Sequence, residues 1–254
     1  MRERGVTWPV MGVHAAAIFT GALLLFWMQP LFARMLLPLL GGAPSVWNTA
    51  MVFYQAVLLL GYLYAHALAR WLDVRGQACV HGLMLLVASV ALPFGVPAGS
   101  EPPAMGNPTG WQLGLMTVAI GLPFFVLSAS SPLLQRWFAA SDHPEAADPY
   151  FLYGASNAGS LLGLLAYPLV LEPWLGVGVQ ARSWAWLYGV YALGVAACAG
   201  AVWRARRATV KHPAAAADPP PAWSRRLRWL IWAAVPSSVM LSATTYLSNE
   251  VAAM

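Results

Sequence analysis

The stretch Val10 to Met28, VMGVHAAAIFTGALLLFWM, runs for nineteen residues without a charged side chain. A helix that crosses a bilayer needs about 20 mostly apolar residues, so this run reads as a transmembrane helix. Arg2 and Arg4 precede it as the basic start of a signal peptide would. The run is longer than the roughly 7–15 apolar residues of a signal sequence, and further spans follow, so it is kept as the first helix. Working outward, six more windows of the same kind occur: Val46 to Tyr64, Ala78 to Val96, Leu113 to Ser130, Tyr153 to Leu171, Trp184 to Val202 and Trp229 to Leu247. The expected fold is all-α, a polytopic transmembrane bundle of about seven helices.

Composition agrees with that reading. Of the 254 residues 59% are hydrophobic and only 9% charged, whereas a soluble domain carries roughly a quarter charged residues to cover its surface. Thirteen Trp and twenty Pro suit a bilayer protein, because Trp sits at headgroup level and Pro is tolerated in spanning helices. The net charge of +5 would elsewhere point to nucleic acid, but the basic residues lie in the loops between apolar runs, which is the mark of membrane orientation. The partner implied is the lipid bilayer, with no nucleic acid. Cys79 and Cys198 fall in separate apolar stretches with no metal or redox spacing, and both read as small core residues.

Lysine and arginine set the orientation, since positive loops stay in the cytoplasm. With the N-terminus inside, Arg2, Arg4, Arg70, Arg75, Arg136, Arg204, Arg206, Arg207, Lys211, Arg225, Arg226 and Arg228 are cytoplasmic, and of the fourteen basic residues only Arg34 and Arg182 lie outside. The expected location is the cell membrane, a bacterial inner membrane, multi-pass, with a cytoplasmic N-terminus. Residues 1–202 then form a six-helix transmembrane domain, 203–228 a basic Ala/Pro-rich cytoplasmic linker, and 229–254 a seventh helix. The chain stops just beyond that helix, and a truncated chain is expected.

Two local expectations concern proline. An unbroken helix from Val10 through Leu40 would be far longer than the roughly 30 Å hydrocarbon core, so a kink at Gln29-Pro30 is expected, with a second piece tilted or lying at the interface. The run Ser128-Ala129-Ser130-Ser131-Pro132 is expected to cap a helix end.

Polar residues within the spans are the site candidates. Gln29, Asn48 and Gln55 punctuate the first two helices, Gln55 the deepest of them, and Asn157 sits in the fifth; these four are the substrate-contact candidates. Arg34 and Glu172 are placed by the topology near the outer ends of the first and fifth spans, where they can pair; the plainer alternatives are a snorkelling arginine and a glutamate that caps a helix end before Pro173. Ala155, Gly159 and Gly163 lie on one face of the fifth helix, a spacing that lets backbones approach closely. Plain packing within the chain is the first reading of that face, and a dimer face or substrate path the other. The five histidines, His14, His66, His81, His143 and His212, show no metal spacing, and no nucleophile elbow, phosphate loop or dinucleotide motif occurs. No catalytic residue, metal or cofactor is therefore expected.

Several of these segments carry a resemblance. Gln29-Pro30, the run Leu37 to Thr49 (LPLLGGAPSVWNT), Ser131 to Phe138 (SPLLQRWF), Tyr150 to Tyr153 (YFLY), Ser156-Asn157 and Glu172-Pro173 resemble the membrane part of fused major-facilitator/spermidine-synthase-like proteins. The likeness covers nearly the whole chain. It implies a major-facilitator-like half plus one helix, and a transporter-like domain handling a small solute such as a polyamine. It equally admits a non-transporting anchor for an aminopropyltransferase-like domain or protein, a Rossmann domain that this sequence does not contain. Asp73-Val74-Arg75-Gly76 weakly resembles the acidic-basic-glycine loop motif of the major-facilitator fold, without its downstream basic pair.

Overall fold

In hydrocarbon a backbone must satisfy its own N–H and C=O groups, so apolar runs of this length can only be helices. The computed structural model describes residues 7–103, 108–141, 143–204 and 221–252. Their helices are α1 (Thr7–Leu40), α2 (Pro44–Trp71), α3 (Val74–Ser89), α4 (Thr109–Ala139), α5 (Phe151–Trp174), α6 (Val177–Arg204) and α7 (Trp223–Ala252). No strand occurs among the described residues. α1, α2, α4, α5 and α6 are long and apolar enough to cross a membrane, and α3 is a shorter apolar helix. The chain is thus an all-α bundle built to span a bilayer. Large apolar side chains such as Leu59, Leu86, Val118, Leu164 and Leu193 stand exposed on its outer faces, as lipid-facing surfaces require.

The chain divides into two compact units, residues 1–42 with 46–208 and residues 43–45 with 209–254. Within the first, α1 is the central element and packs most extensively on α5, then on α6 and α4; α3 lies against α6 and α4. Its buried face holds Leu24, Met28, Leu31, Phe32 and Leu36, all nearly or fully removed from the surface. α7 belongs to the second unit, and its side chains from Trp223 to Tyr246 are exposed almost throughout.

Several expectations are corrected. Leu31 to Leu40 is not a separate helical piece, since α1 continues as one helix of 34 residues through Pro30 and Pro38. Its buried stripe extends on both sides of Pro30, so the hydrogen bond lost at a proline is outweighed by continuous packing. α3 begins at Val74 and ends at Ser89, short of the expected Val96, because the following segment turns through Pro93 and Pro97. Ser128 and Ser130 lie inside α4, not at its end. Each donates to the carbonyl four residues back, Phe124 O at 2.8 Å and Val126 O at 2.7 Å. Cys79 is exposed while Cys198 is buried, so only the latter is a core residue. α7 begins at Trp223, inside the stretch expected as linker, and is not among the five helices that meet the length and apolarity of a span. Residues 205–220 of that linker lie outside the described residues.

Two of the helices are interrupted by π turns, Thr117–Gly121 in α4 and Tyr167–Leu171 in α5. The first is followed two residues on by Pro123, and the second contains Pro168. Local widening of this kind re-pairs the backbone groups that a proline leaves without a donor.

Helix ends are closed by side chains from neighbouring helices, because the last carbonyls of a helix have no partner within it. Arg75 at the start of α3 donates to Trp203 O at the end of α6, 3.2 Å, and Arg136 at the end of α4 donates to Ala69 O at the end of α2, 3.1 Å. Gln180 of α6 donates to Leu171 O and Leu175 O, 3.1 and 2.8 Å. Further along, Trp184 Nε1 donates to Leu24 O at 2.9 Å and Tyr188 Oη to Leu85 O at 3.0 Å, which pins α6 to α1 and α3. In the loop motif, Asp73 Oδ1 accepts from the Gly76 backbone N–H at 2.9 Å and so caps α3.

Candidate functional site

Close approach between α1 and α5 is set by two glycines. A Cβ at Gly159 would collide with Phe19 O, and one at Gly163 would lie 3.0 Å from Leu23 O. The small-residue face therefore packs within the chain, against α1; Ala155, one turn before Gly159, is partly buried. α2 also approaches α4 closely at one point, since a Cβ at Gly61 would sit 2.7 Å from Ser128 Cβ. Where these crossings diverge, they leave a partly open cavity of about 440 Å³ walled by α1, α2, α4, α5 and α6.

The wall has an apolar part, including Ile18, Leu25, Phe26, Met51, Leu58 and Leu127, and a polar part from every one of the five helices. α1 contributes Gln29, α2 Tyr54, Gln55 and Tyr62, α4 Ser128, Ser130 and Ser131, α5 Ser156, Asn157 and Ser160, and α6 Tyr191. No Asp, Glu, Lys, Arg or His is among the lining residues. Volumes of about 300–1,000 Å³ are usual for small-molecule sites.

Of the four residues singled out for substrate contact, the structure brings Gln29, Gln55 and Asn157 together on this one wall and leaves Asn48 outside it. Gln55 and Asn157 are exposed and Gln29 half-buried, so the two exposed amides mark the open side. The hydroxyl groups were not anticipated. Their signal lay in the spacing: Ser128 and Ser131 are three residues apart and Ser156 and Ser160 four, which puts each pair on one stripe of an otherwise apolar helix.

Four of the eight hydroxyl hydrogens on the wall are already engaged. Ser160 Oγ donates to Ser156 O at 3.0 Å, as Ser128 and Ser130 do to their own helix, and Tyr54 Oη donates to Gln29 O at 3.2 Å. The Tyr54 ring packs on Phe124 with centroids 5.1 Å apart. Tyr191 is only 1% exposed, and its hydroxyl lies beside Ser130 without reaching good hydrogen-bond geometry. Behind the wall, the fully buried His81 reaches Ser130 Oγ through Nε2 at 3.0 Å.

No known protein family, curated protein or solved structure matches this chain. The site must accordingly be understood from its own chemistry. No group of three or more His, Cys, Asp or Glu able to hold a metal occurs among the described residues, and of the wall's hydroxyls Ser130 is the one set against an imidazole, that of His81. What the cavity can do is hold a small molecule by neutral hydrogen bonds and ring faces.

Away from the cavity, Arg34 and Glu172 meet where α1 and α5 end together. Arg34 Nη1 lies 3.8 Å from Glu172 Oε1 and donates to the Glu172 carbonyl at 3.1 Å. Both side chains are more than a third exposed, 36% and 46%, so the pair joins two helix ends at the rim and does not belong to the cavity.

Proposed function

We propose that this chain is a transporter-like membrane domain, of the fused major-facilitator/spermidine-synthase-like kind, which binds a small solute in the cavity among α1, α2, α4, α5 and α6. The supporting observation is the convergence of uncharged polar side chains from all five helices on one cavity. An interior that served only to anchor would be filled by small and apolar side chains, whereas a solute path needs polar groups that converge near the middle of the bundle. The proposed setting is a bacterial inner membrane with the N-terminus in the cytoplasm, supported by the skew of basic residues. A polyamine is the solute that the resemblance brings forward, although the described lining holds no carboxylate to receive it.

Water access to the cavity tests this reading. Cysteine placed at Ser131, Asn157 or Ser160, with Cys79→Ser and the buried Cys198 left in place, should react with a water-soluble, membrane-impermeant thiol reagent in nanodiscs or inverted vesicles. Cysteine at Leu193, on the exposed apolar face of α6, should not. Silence at all three cavity positions would remove the transporter-like reading and favour an anchor for an aminopropyltransferase-like partner.

A further inference from the structure

We infer that the cavity takes an uncharged, polyhydroxylated solute; this rests on the reading of the cavity as a solute site. The first support is that no charged side chain is among the described residues that line the wall. An ion that entered would leave water for a low-dielectric interior with no counter-charge, at a penalty of several kcal/mol per charge. A di- or triammonium chain is served worst, and a carboxylate meets no cation.

The second support is the hydrogen-bond polarity of the wall. Ser128, Ser130 and Ser160 give their hydrogens to carbonyls of their own helices, and Tyr54 gives its hydrogen to Gln29 O. What these oxygens offer a solute is lone pairs. Donors stand among them: the amide NH₂ groups of Gln55 and Asn157, and the buried Tyr191 hydroxyl, whose contact with Ser130 falls short of good hydrogen-bond geometry. A buried donor without a partner is costly, by about 1–3 kcal/mol, and a solute oxygen in the cavity would relieve it. Neutral acceptors interleaved with neutral donors match hydroxyl groups, each of which gives and accepts at once. The Tyr54 and Phe124 rings supply an apolar face for the carbon skeleton.

The test uses the purified full chain in nanodiscs and equilibrium dialysis with four labelled probes: sorbitol, its 1-amino-1-deoxy analogue, gluconate, and spermidine. The first three share one skeleton and differ in charge. Sorbitol should bind, and Gln55→Leu, Asn157→Leu and Ser160→Ala should each weaken it by roughly tenfold, equivalent to 1.4 kcal/mol. Asn48→Leu, outside the cavity, should not. Gln55 and Asn157 are exposed, so their replacement leaves the core intact, and Ser160→Ala is the milder check. The charged probes should bind roughly tenfold or more weakly than sorbitol. Equal or tighter binding of the amine, gluconate or spermidine that Gln55→Leu abolishes would overturn the neutral class and leave the solute site standing. Binding of none of the four would overturn both.

Discussion

Arg34 holds Glu172 twice, with Nη1 at 3.8 Å from the carboxylate Oε1 and 3.1 Å from the backbone carbonyl of the same residue. The two contacts are not equivalent. The first is an exposed ion pair, worth about 0.2–1 kcal/mol and screened by salt. The second satisfies a carbonyl near the end of α5 whatever the residue's side chain, and hydrogen bonds from a charged donor contribute about 1.5–3 kcal/mol.

Glu172→Gln should therefore be mild, a loss of less than about 1 kcal/mol, because the arginine keeps its carbonyl. Arg34→Gln loses both contacts and should lower the melting temperature by several degrees, at about 2–4 °C per kcal/mol for a chain of this size. Thermal denaturation in detergent at low and high salt measures both. A Glu172→Gln effect equal to that of Arg34→Gln would show that the carboxylate carries the interaction.

At the α1–α5 crossing, Gly159→Leu and Gly163→Leu should each destabilise by about 1–3 kcal/mol through overpacking, Gly159 the more severely because its added carbon meets the Phe19 carbonyl. Gly154→Leu is the control, since nothing lies within 4 Å of a Cβ there. Equal melting temperatures for all three variants would sink the assignment of this face to close packing.

Removal of the α3 cap by Asp73→Ala should cost about 0.5–2 kcal/mol, with Asp73→Asn recovering most of it because an amide oxygen still accepts from the Gly76 N–H. Hydrogen exchange at residues 74–77 is the direct measurement. Faster exchange in the alanine variant and not in the asparagine variant is the expected pattern; no change in either would leave Asp73 without a capping role.

For topology, a reporter fused at the N-terminus and one inserted at residue 219, outside the described residues, should both report cytoplasm. A reporter in the 97–103 segment should report the exterior. The contacts of Arg75 with Trp203 and of Arg136 with Ala69 gather the ends of α2, α4 and α6 and the start of α3 at one end of the bundle, which this alternation requires. An external signal from residue 219 would overturn the orientation.

Much of the architecture was legible in the chain because apolar length has one solution in lipid. The Arg34–Glu172 contact could be anticipated for the same reason: alternating spans bring the ends of the first and fifth helices to one side. The failures came where a local cue competed with packing. Pro30 read as a kink and Ser128 to Pro132 as a helix end, yet α1 and α4 continue through both prolines, because the stripes they carry are buried above and below the proline. Asn48 and Gln55, seven residues apart, share a helix face, but the cavity meets α2 only from Met51 to Tyr62. Periodicity gives a residue's face and not its depth.

By itself the sequence determined that the chain forms long apolar helices, in what order, and at which ends their charges collect, because those follow from hydrophobic length and the cost of placing a charge in hydrocarbon. Only the tertiary structure decided which polar residues meet. Gln29, Gln55, Ser130, Asn157 and Tyr191 come from five helices, and they share a wall only because α1 and α5 close to backbone contact at Phe19 and Gly159 while α2 and α4 do so at Gly61 and Ser128. The distance between helices is set by the bulk at their crossings, and no periodicity along a single chain records what stands opposite.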